Sequence, residues 1–186
     1  MIIVVDYDPS WPGLFEELRS EYAEAMAAAG VPVIAIEHVG STSVPGLAAK
    51  PVIDCDIVVR AADVQAASDA LTALGFTPLG ELGVPLRWAF KEPAHFGRTN
   101  TYVIVEGCLS LRNHLGVRDA LRADKDLRDE YGAVKKRVGL QAANIDDYGR
   151  AKNHVVLKII KAAGLTESDV ASITANQIPT HDELPR

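Results

Sequence analysis

No apolar run in this 186-residue sequence approaches the roughly 18 to 20 residues that a membrane-spanning helix needs. The start, MIIVVDYDPSW, lacks a basic region, and Asp6 interrupts its apolar stretch after four residues, so it does not read as a secretory signal. The expected location is the cytoplasm. Positive charge is also scarce: 19 Lys and Arg stand against 25 Asp and Glu, giving a formal net charge of −6 and a pI near 5.3. That balance excludes the broad basic footprint of a protein that tracks long nucleic acid. It leaves room for a local basic pocket that holds a phosphorylated small molecule. Cysteine appears only twice, at Cys55 and Cys108, both in apolar strand-like surroundings. With no Cys-x-x-Cys and no Cys/His cluster, no structural zinc site is expected, and two reduced, buried thiols are. Internal repeats and low-complexity segments are absent.

What is present suits a folded domain. Hydrophobic residues make up 48% of the chain and charged ones 24%, enough to bury a core. One domain is expected over residues 1–165, with a flexible tail over 166–186. Short strands are read at 2–5 (IIVV), in VPVIAIEHVG, in VIDCDIVV and in TNTYVIVEG, the last enriched in β-branched and aromatic residues. One or two more are expected within FTPLGELGVPLRWAFKEP. A helix is predicted from Trp11 to Ala29, because Leu14, Phe15, Leu18, Tyr22, Ala25 and Met26 recur at three- and four-residue steps. Ser10 stands at its N-cap and Gly30 at its C-cap. AADVQAASDALTALG reads as a second amphipathic helix, and the chain is helical over roughly 110–124, 125–142 and 145–164. The fold class is α+β (mixed α/β), with one central mixed sheet, flanking helices and a helical C-terminal region.

The stretch EHVGSTSVPGLAAKPVIDCDIVV, residues 37–59, carries the chemistry. Side chains alternate along a strand, so Asp54 and Asp56 share a face, with Cα atoms about 6.5 Å apart. Two carboxylates that close need a compensating cation. Mg²⁺ or Mn²⁺, bound by carboxylate oxygens and phosphate, is the natural one. Gly40 permits close backbone approach. Ser41 and Ser43 add hydroxyl donors, and Lys50 precedes the acidic strand. Further on, LRNHLGVRDALR places Arg112, His114, Arg118 and Arg122 on a helix, with His114 and Arg118 on one face. Arg112, His114 and Arg118 are read as a phosphate clamp. Tyr131 with Lys135, and Tyr148 with Lys152, are i,i+4 pairs able to hold a base and a phosphate. The parity of His38 puts it on the Gly40 face of its strand, where it is expected to line the site. His95 is read on a loop beside Arg98, His154 as partly buried on a helix, and His181 in the tail.

These motifs resemble the signature of the polymerase-β-like nucleotidyltransferase superfamily, and GSTSVPGLAAKP is similar to the GrpB family within it. VDYDPSWPGLFEELRSE and TNTYVIVEGCLSLRNHLGVRDALRADKDLRDEYGAVKKR agree, so the resemblance spans roughly residues 4–164. It implies a mixed sheet with two metal-liganding carboxylates on one strand, here Asp54 and Asp56, often joined by a third from a later strand. It also implies transfer of a nucleotidyl group from an NTP to an acceptor, which the resemblance does not name. In TNTYVIVEG the row of Asn100, Tyr102 and Ile104 contains no acid, so the third ligand is either Glu106 at the strand's end or neutral Asn100. Three readings follow. The first is a Mg²⁺- or Mn²⁺-dependent nucleotidyltransferase acting on an NTP. The second is a catalytically silent module for a nucleotide or CoA-like ligand. The third is another small-molecule enzyme using the same pocket.

Overall fold

The computed structural model describes residues 2–175, the side chains of residues 145, 146 and 175 excepted. Five strands form one mixed sheet: β1 (Ala35–Val39), β2 (Ile53–Val59), β3 (Thr77–Gly80), β4 (Arg87–Lys91) and β5 (Thr99–Val105). Their order is β1-β2-β5-β4-β3, with β2 and β5 parallel and every other neighbour antiparallel. Seven helices are present among the described residues: α1 (Trp11–Ala28), α2 (Val64–Ala73), α3 (Leu109–Ala123), α4 (Lys125–Gln141), α5 (Ile145–Ala151), α6 (Asn153–Ala162) and α7 (Glu167–Ala175). The α+β plan with a central mixed sheet is thus the observed one.

The sheet is covered on both faces, and the two coverings differ. On one face α1 lays down Trp11, Phe15, Leu18, Tyr22 and Met26, the buried stripe of its helical period. Together with α2 it packs over Cys55, Ile57, Val59, Phe90 and Val103. Side chains of this size contribute about 1.5–3 kcal/mol each on burial. The Tyr22 hydroxyl, fully enclosed, is satisfied by Thr101 Oγ1 at 2.8 Å. On the other face α3 covers Val58 and Ile104 through Leu111. Behind α3, helices α4 to α6 close a second core around Val44, Leu47, Leu121, Tyr131, Val134, Tyr148 and Ile159. Cys55 and Cys108 are both buried and unbridged.

Several expected elements take a different form. IIVV is not a strand of the sheet: Val5 makes a single antiparallel bridge to Ala49, and the Ile2 amide donates to the Gly139 carbonyl at 3.1 Å. The segment is a strap across the second core, where Ile2 and Val4 pack. Gly139 has no room for a side chain there, since a Cβ would lie 2.7 Å from the Ile2 carbonyl oxygen. The single helix expected over 145–164 is two, divided at Lys152. Part of the expected tail, Glu167–Ala175, is helix α7, joined to α3 by an Arg112–Asp169 ion pair at 2.9 Å. The remainder of that tail, with His181, lies outside the described residues. Ser10 sits at the N-cap of α1 without a side-chain cap bond; its amide donates instead to Asp8 Oδ1.

Candidate functional site

The strand register decides which side chains meet. Asp54 lies across from Val39 of β1 and Asn100 of β5, and Asp56 across from Glu37 and Tyr102. Glu37, Asp54, Asp56, Asn100 and Tyr102 therefore project from one face of three adjacent strands. Asn100 Nδ2 donates to Asp54 Oδ1 at 2.6 Å. His114, on α3, bonds Asp56 Oδ2 through Nδ1 at 2.7 Å. Arg118, one turn later, donates from Nη1 to Glu37 Oε2 at 2.7 Å and to the His38 carbonyl at 3.2 Å, and from Nε to Asp119 at 2.8 Å. Each of the three carboxylates thus accepts from a different residue. Asp56 is fully buried, and its second oxygen, Oδ1, has no partner among the described residues.

Local backbone geometry holds the carboxylates where they are. Gly40 has φ +69°, and a Cβ built on it would lie 1.9 Å from Asp54 Oδ2. Only glycine lets the turn close over the carboxylate. The following 3₁₀ turn, Ser41–Ser43, is pinned from α3: Arg122 donates through Nε and Nη2 to the Ser43 carbonyl at 3.1 and 2.7 Å. The Ser43 hydroxyl donates inward to the Gly40 carbonyl at 2.6 Å, so it shapes the turn from within. Ser41 is partly exposed at the start of that turn.

The basic side of the site comes from the second core. Lys135 is 2% exposed, and its ammonium has no hydrogen-bond partner among the described residues. It lies 4.5 Å above the Tyr131 ring, and Lys152 lies 4.5 Å above the Tyr148 ring. Burial pushes the Lys135 pKa well down, the Lys152 ammonium pushes it further, and the Asp54 carboxylate pulls the other way. Lys135 is thus within electrostatic reach of both Asp54 and Lys152. Burial raises the Asp54 pKa, while the Asn100 bond, His114 and Lys50 pull it back. Burial disfavours the His114 imidazolium, but the Asp56 carboxylate, by charge and hydrogen bond, lifts its pKa overall.

Of the residues singled out in the sequence, the structure joins Gly40, Asp54, Asp56, His114 and Arg118 where β1, β2 and α3 meet, with Ser41 and Ser43 in the adjoining turn; Lys50 and Lys135 act on Asp54, and Lys152 on Lys135, through their charges. Arg112 stands apart, exposed and paired with Asp169 on α7. Glu106 is exposed beyond the end of β5, and it is Asn100 that reaches Asp54. The expectation for His38 is corrected. Its register partner is Cys55, so it points away from the acids into the first core. There it stacks on Phe15 at 4.6 Å, and Nε2 meets Thr42 Oγ1 at 3.0 Å. His154 is exposed on α6, and His95 is exposed on the loop before β5. Glu37, Tyr102 and Arg87 were not foreseen. Arg87 stacks over Tyr102 at 4.6 Å on the same face.

Among the described residues, no three His, Cys, Asp or Glu side chains converge on a point that would hold a metal ion. The donor chemistry still suits one hard cation. Asp56 Oδ1 is an oxygen without a partner, and Asp54 stands two residues away on the same face. No helix among the described residues is long and apolar enough to cross a membrane.

Comparison with known proteins places the chain. Residues 1–162 match the family described as GrpB protein. A UPF0157 protein of Streptomyces coelicolor is 37% identical over 166 residues, covering 86% of this chain and 82% of that one. A dephospho-CoA kinase of Mycolicibacterium paratuberculosis is 30% identical over 80% of this chain, which spans only 42% of that protein's length. Among solved structures, the GrpB protein of Enterococcus faecalis superposes with a TM-score of 0.75 at 29% identity, over 87% of this chain and 96% of that one. A matched family covering nearly the whole described chain, and the same fold in a solved relative, lead to one conclusion: this chain belongs to the GrpB family.

Proposed function

We propose that the chain is a Mg²⁺- or Mn²⁺-dependent nucleotidyltransferase that moves an NMP group from an NTP to the hydroxyl or amine of an acceptor. The observation that carries the reading is Lys135. It is a buried ammonium without a hydrogen-bond partner, set within electrostatic reach of Asp54 and Lys152. An uncompensated buried cation costs several kcal/mol, so it persists where a ligand anion completes it. A polyphosphate is such an anion. Asp54 and Asp56 are the residues that would hold a divalent cation, which when bound neutralises phosphate oxygens and lowers the pKa of the attacking group. Lys135 and Lys152 oppose the phosphate charge from the helical side. The Gly40 turn fixes the Asp54 carboxylate, and His114 orients that of Asp56. Catalysis here is positioning and charge neutralisation. The acceptor oxygen or nitrogen bonds to the α-phosphorus, the bond to the bridging oxygen breaks, and pyrophosphate leaves as the acceptor gives up its proton.

The test follows label from α-³²P NTPs into a pool of small-molecule and protein acceptors with Mn²⁺. Transfer with pyrophosphate release, lost in Asp54→Asn, supports the reading; label that stays in NTP with every base defeats it. A second reading, a binding module without turnover, is favoured by Asn100, a neutral residue on β5 where a third carboxylate is expected. The relative named dephospho-CoA kinase makes a CoA-like ligand the first to try in that case. Binding that persists in Asp56→Asn without metal would select it.

A further inference from the structure

We propose that Glu37 is the third carboxylate of this site, and that Arg118 is a removable cap that keeps it from a divalent cation. The inference rests on the reading that the acidic face binds a cation. A third acid is missing from β5, but it is present on β1. Glu37 lies directly across the ladder from Asp56, on the same face, where side chains of paired residues stand about 4.5–5.5 Å apart at Cβ. Two buried polar groups point to a ligand: one on this face, and one within electrostatic reach of Asp54. Asp56 is fully buried, yet Oδ1 has no partner among the described residues. Lys135, 2% exposed, likewise has none. Glu37 does not converge with the aspartates in the structure because its Oε2 is drawn to Arg118 Nη1 at 2.7 Å.

The three caps are not equivalent. Asn100 and His114 place one donor each on an aspartate, close to the strand floor. Arg118 reaches from α3 and divides itself among Glu37, the His38 carbonyl and Asp119. Its side chain is 14% exposed and that of Glu37 32% exposed, so this pair, unlike Asp56, opens to solvent. Losing the Glu37 contact leaves Arg118 two acceptors, and leaves Glu37 a free carboxylate next to the orphan oxygen of Asp56. Phosphate, which fits the guanidinium fork, is a suitable anion to draw Arg118 away. Sequence parity cannot reveal this arrangement, because a helix 81 residues later supplies the cap.

The experiment measures Mn²⁺ binding by the full chain, from the EPR signal of free ion, without nucleotide. Arg118→Gln is expected to tighten Mn²⁺ at least five-fold, and Arg118→Gln with Glu37→Gln to lose that gain. Arg112→Gln removes the same charge from the same helix and is expected to stay within two-fold of wild type. No gain in Arg118→Gln, a gain that survives Glu37→Gln, or an equal gain in Arg112→Gln overturns the proposal. If Arg118→Gln does not fold, Arg118→Lys replaces it. A lysine reaches fewer acceptors at once, so a smaller gain, still dependent on Glu37, is expected, and its absence is equally fatal. Asp56→Asn separates the two levels. Wild-type and Asp56→Asn proteins that bind Mn²⁺ alike would remove the cation reading itself, whereas a loss in Asp56→Asn with no effect at Arg118 removes only the cap.

Discussion

Lys135 concentrates the tension between stability and binding at the scale of one residue. The side chain is buried, and its ammonium sits over the Tyr131 ring, under the charge of a second lysine and without a hydrogen-bond acceptor among the described residues. Replacing it with Met removes an unpaired buried charge at similar length. Lys135→Met should therefore raise the ligand-free stability by about 1–3 kcal/mol while abolishing any nucleotide-induced stabilisation. Paired urea melts with and without nucleotide read both effects. The sign with pH is also fixed. The unfolded lysine titrates near 10.5 and the folded one well below it, so across that window the unfolded chain holds more protons. The Lys135 contribution to stability thus rises with pH, and Lys135→Met should flatten that slope. Gly40 makes the opposite case. Gly40→Ala sets a methyl 1.9 Å from Asp54 Oδ2 at φ +69°, and a loss of about 2 kcal/mol or more is expected, with displacement of the carboxylate. The Asp54–Asp56 pair and the role of Gly40 were legible in the sequence, because period-two alternation and positive φ are local rules. Glu37 was not. EHV offers either residue 37 or residue 38 to the site, and only the antiparallel register with β2 selects the glutamate.

At the scale of elements, β1 carries opposite chemistry on its two faces. Glu37 faces the acids, while His38 is sealed against α1 by Phe15. Burial, with the Arg122 and Arg118 charges, holds the His38 pKa down at about 4, against 6.5 for the ordinary side chain. Between those values the unfolded chain binds the extra proton. Stability from this packing is therefore lost as pH falls from 6.5 towards 4, by roughly 2–3 kcal/mol in the limit. His114 tilts the other way. Its raised pKa makes its contribution full below 6.5 and lost as pH rises through the folded value. His38→Gln, uncharged throughout, should lose the acid-side slope in urea melts at pH 4.5 and 7, while the His114 slope remains. Helix α7 is tied to α3 by the Arg112–Asp169 ion pair. Arg112→Ala should speed amide exchange over residues 167–175 without altering ligand binding. Strong periodicity made α1, α2, β2 and β5 readable. IIVV and α7 were not, since the first is a single bridge to Ala49 and the second is held by a partner 57 residues away.

For the whole molecule, the sheet separates two cores, and the candidate site lies where α3 and the second core meet the strand face that carries the acids. The first core, under α1 and α2, is a scaffold whose hydroxyls and thiols are enclosed. The second holds Lys135 and Lys152 over tyrosine rings, with Lys135 within electrostatic reach of Asp54. Composition and element order made the α+β plan readable, and specific motifs made the GrpB family readable. The convergence of β1, β2, β5 and α3 on one set of carboxylates was not readable, because it depends on contacts tens of residues apart. The most direct measurement is a thermal melt of wild-type and Asp54→Asn protein against a panel of NTPs, with and without Mn²⁺. A nucleotide at about a hundred times its Kd stabilises by roughly 2.7 kcal/mol, a readily measured rise in Tm. A rise with at least one NTP that needs the metal and disappears in Asp54→Asn is expected. A flat response to every NTP, or a rise that is the same in the variant, would contradict it.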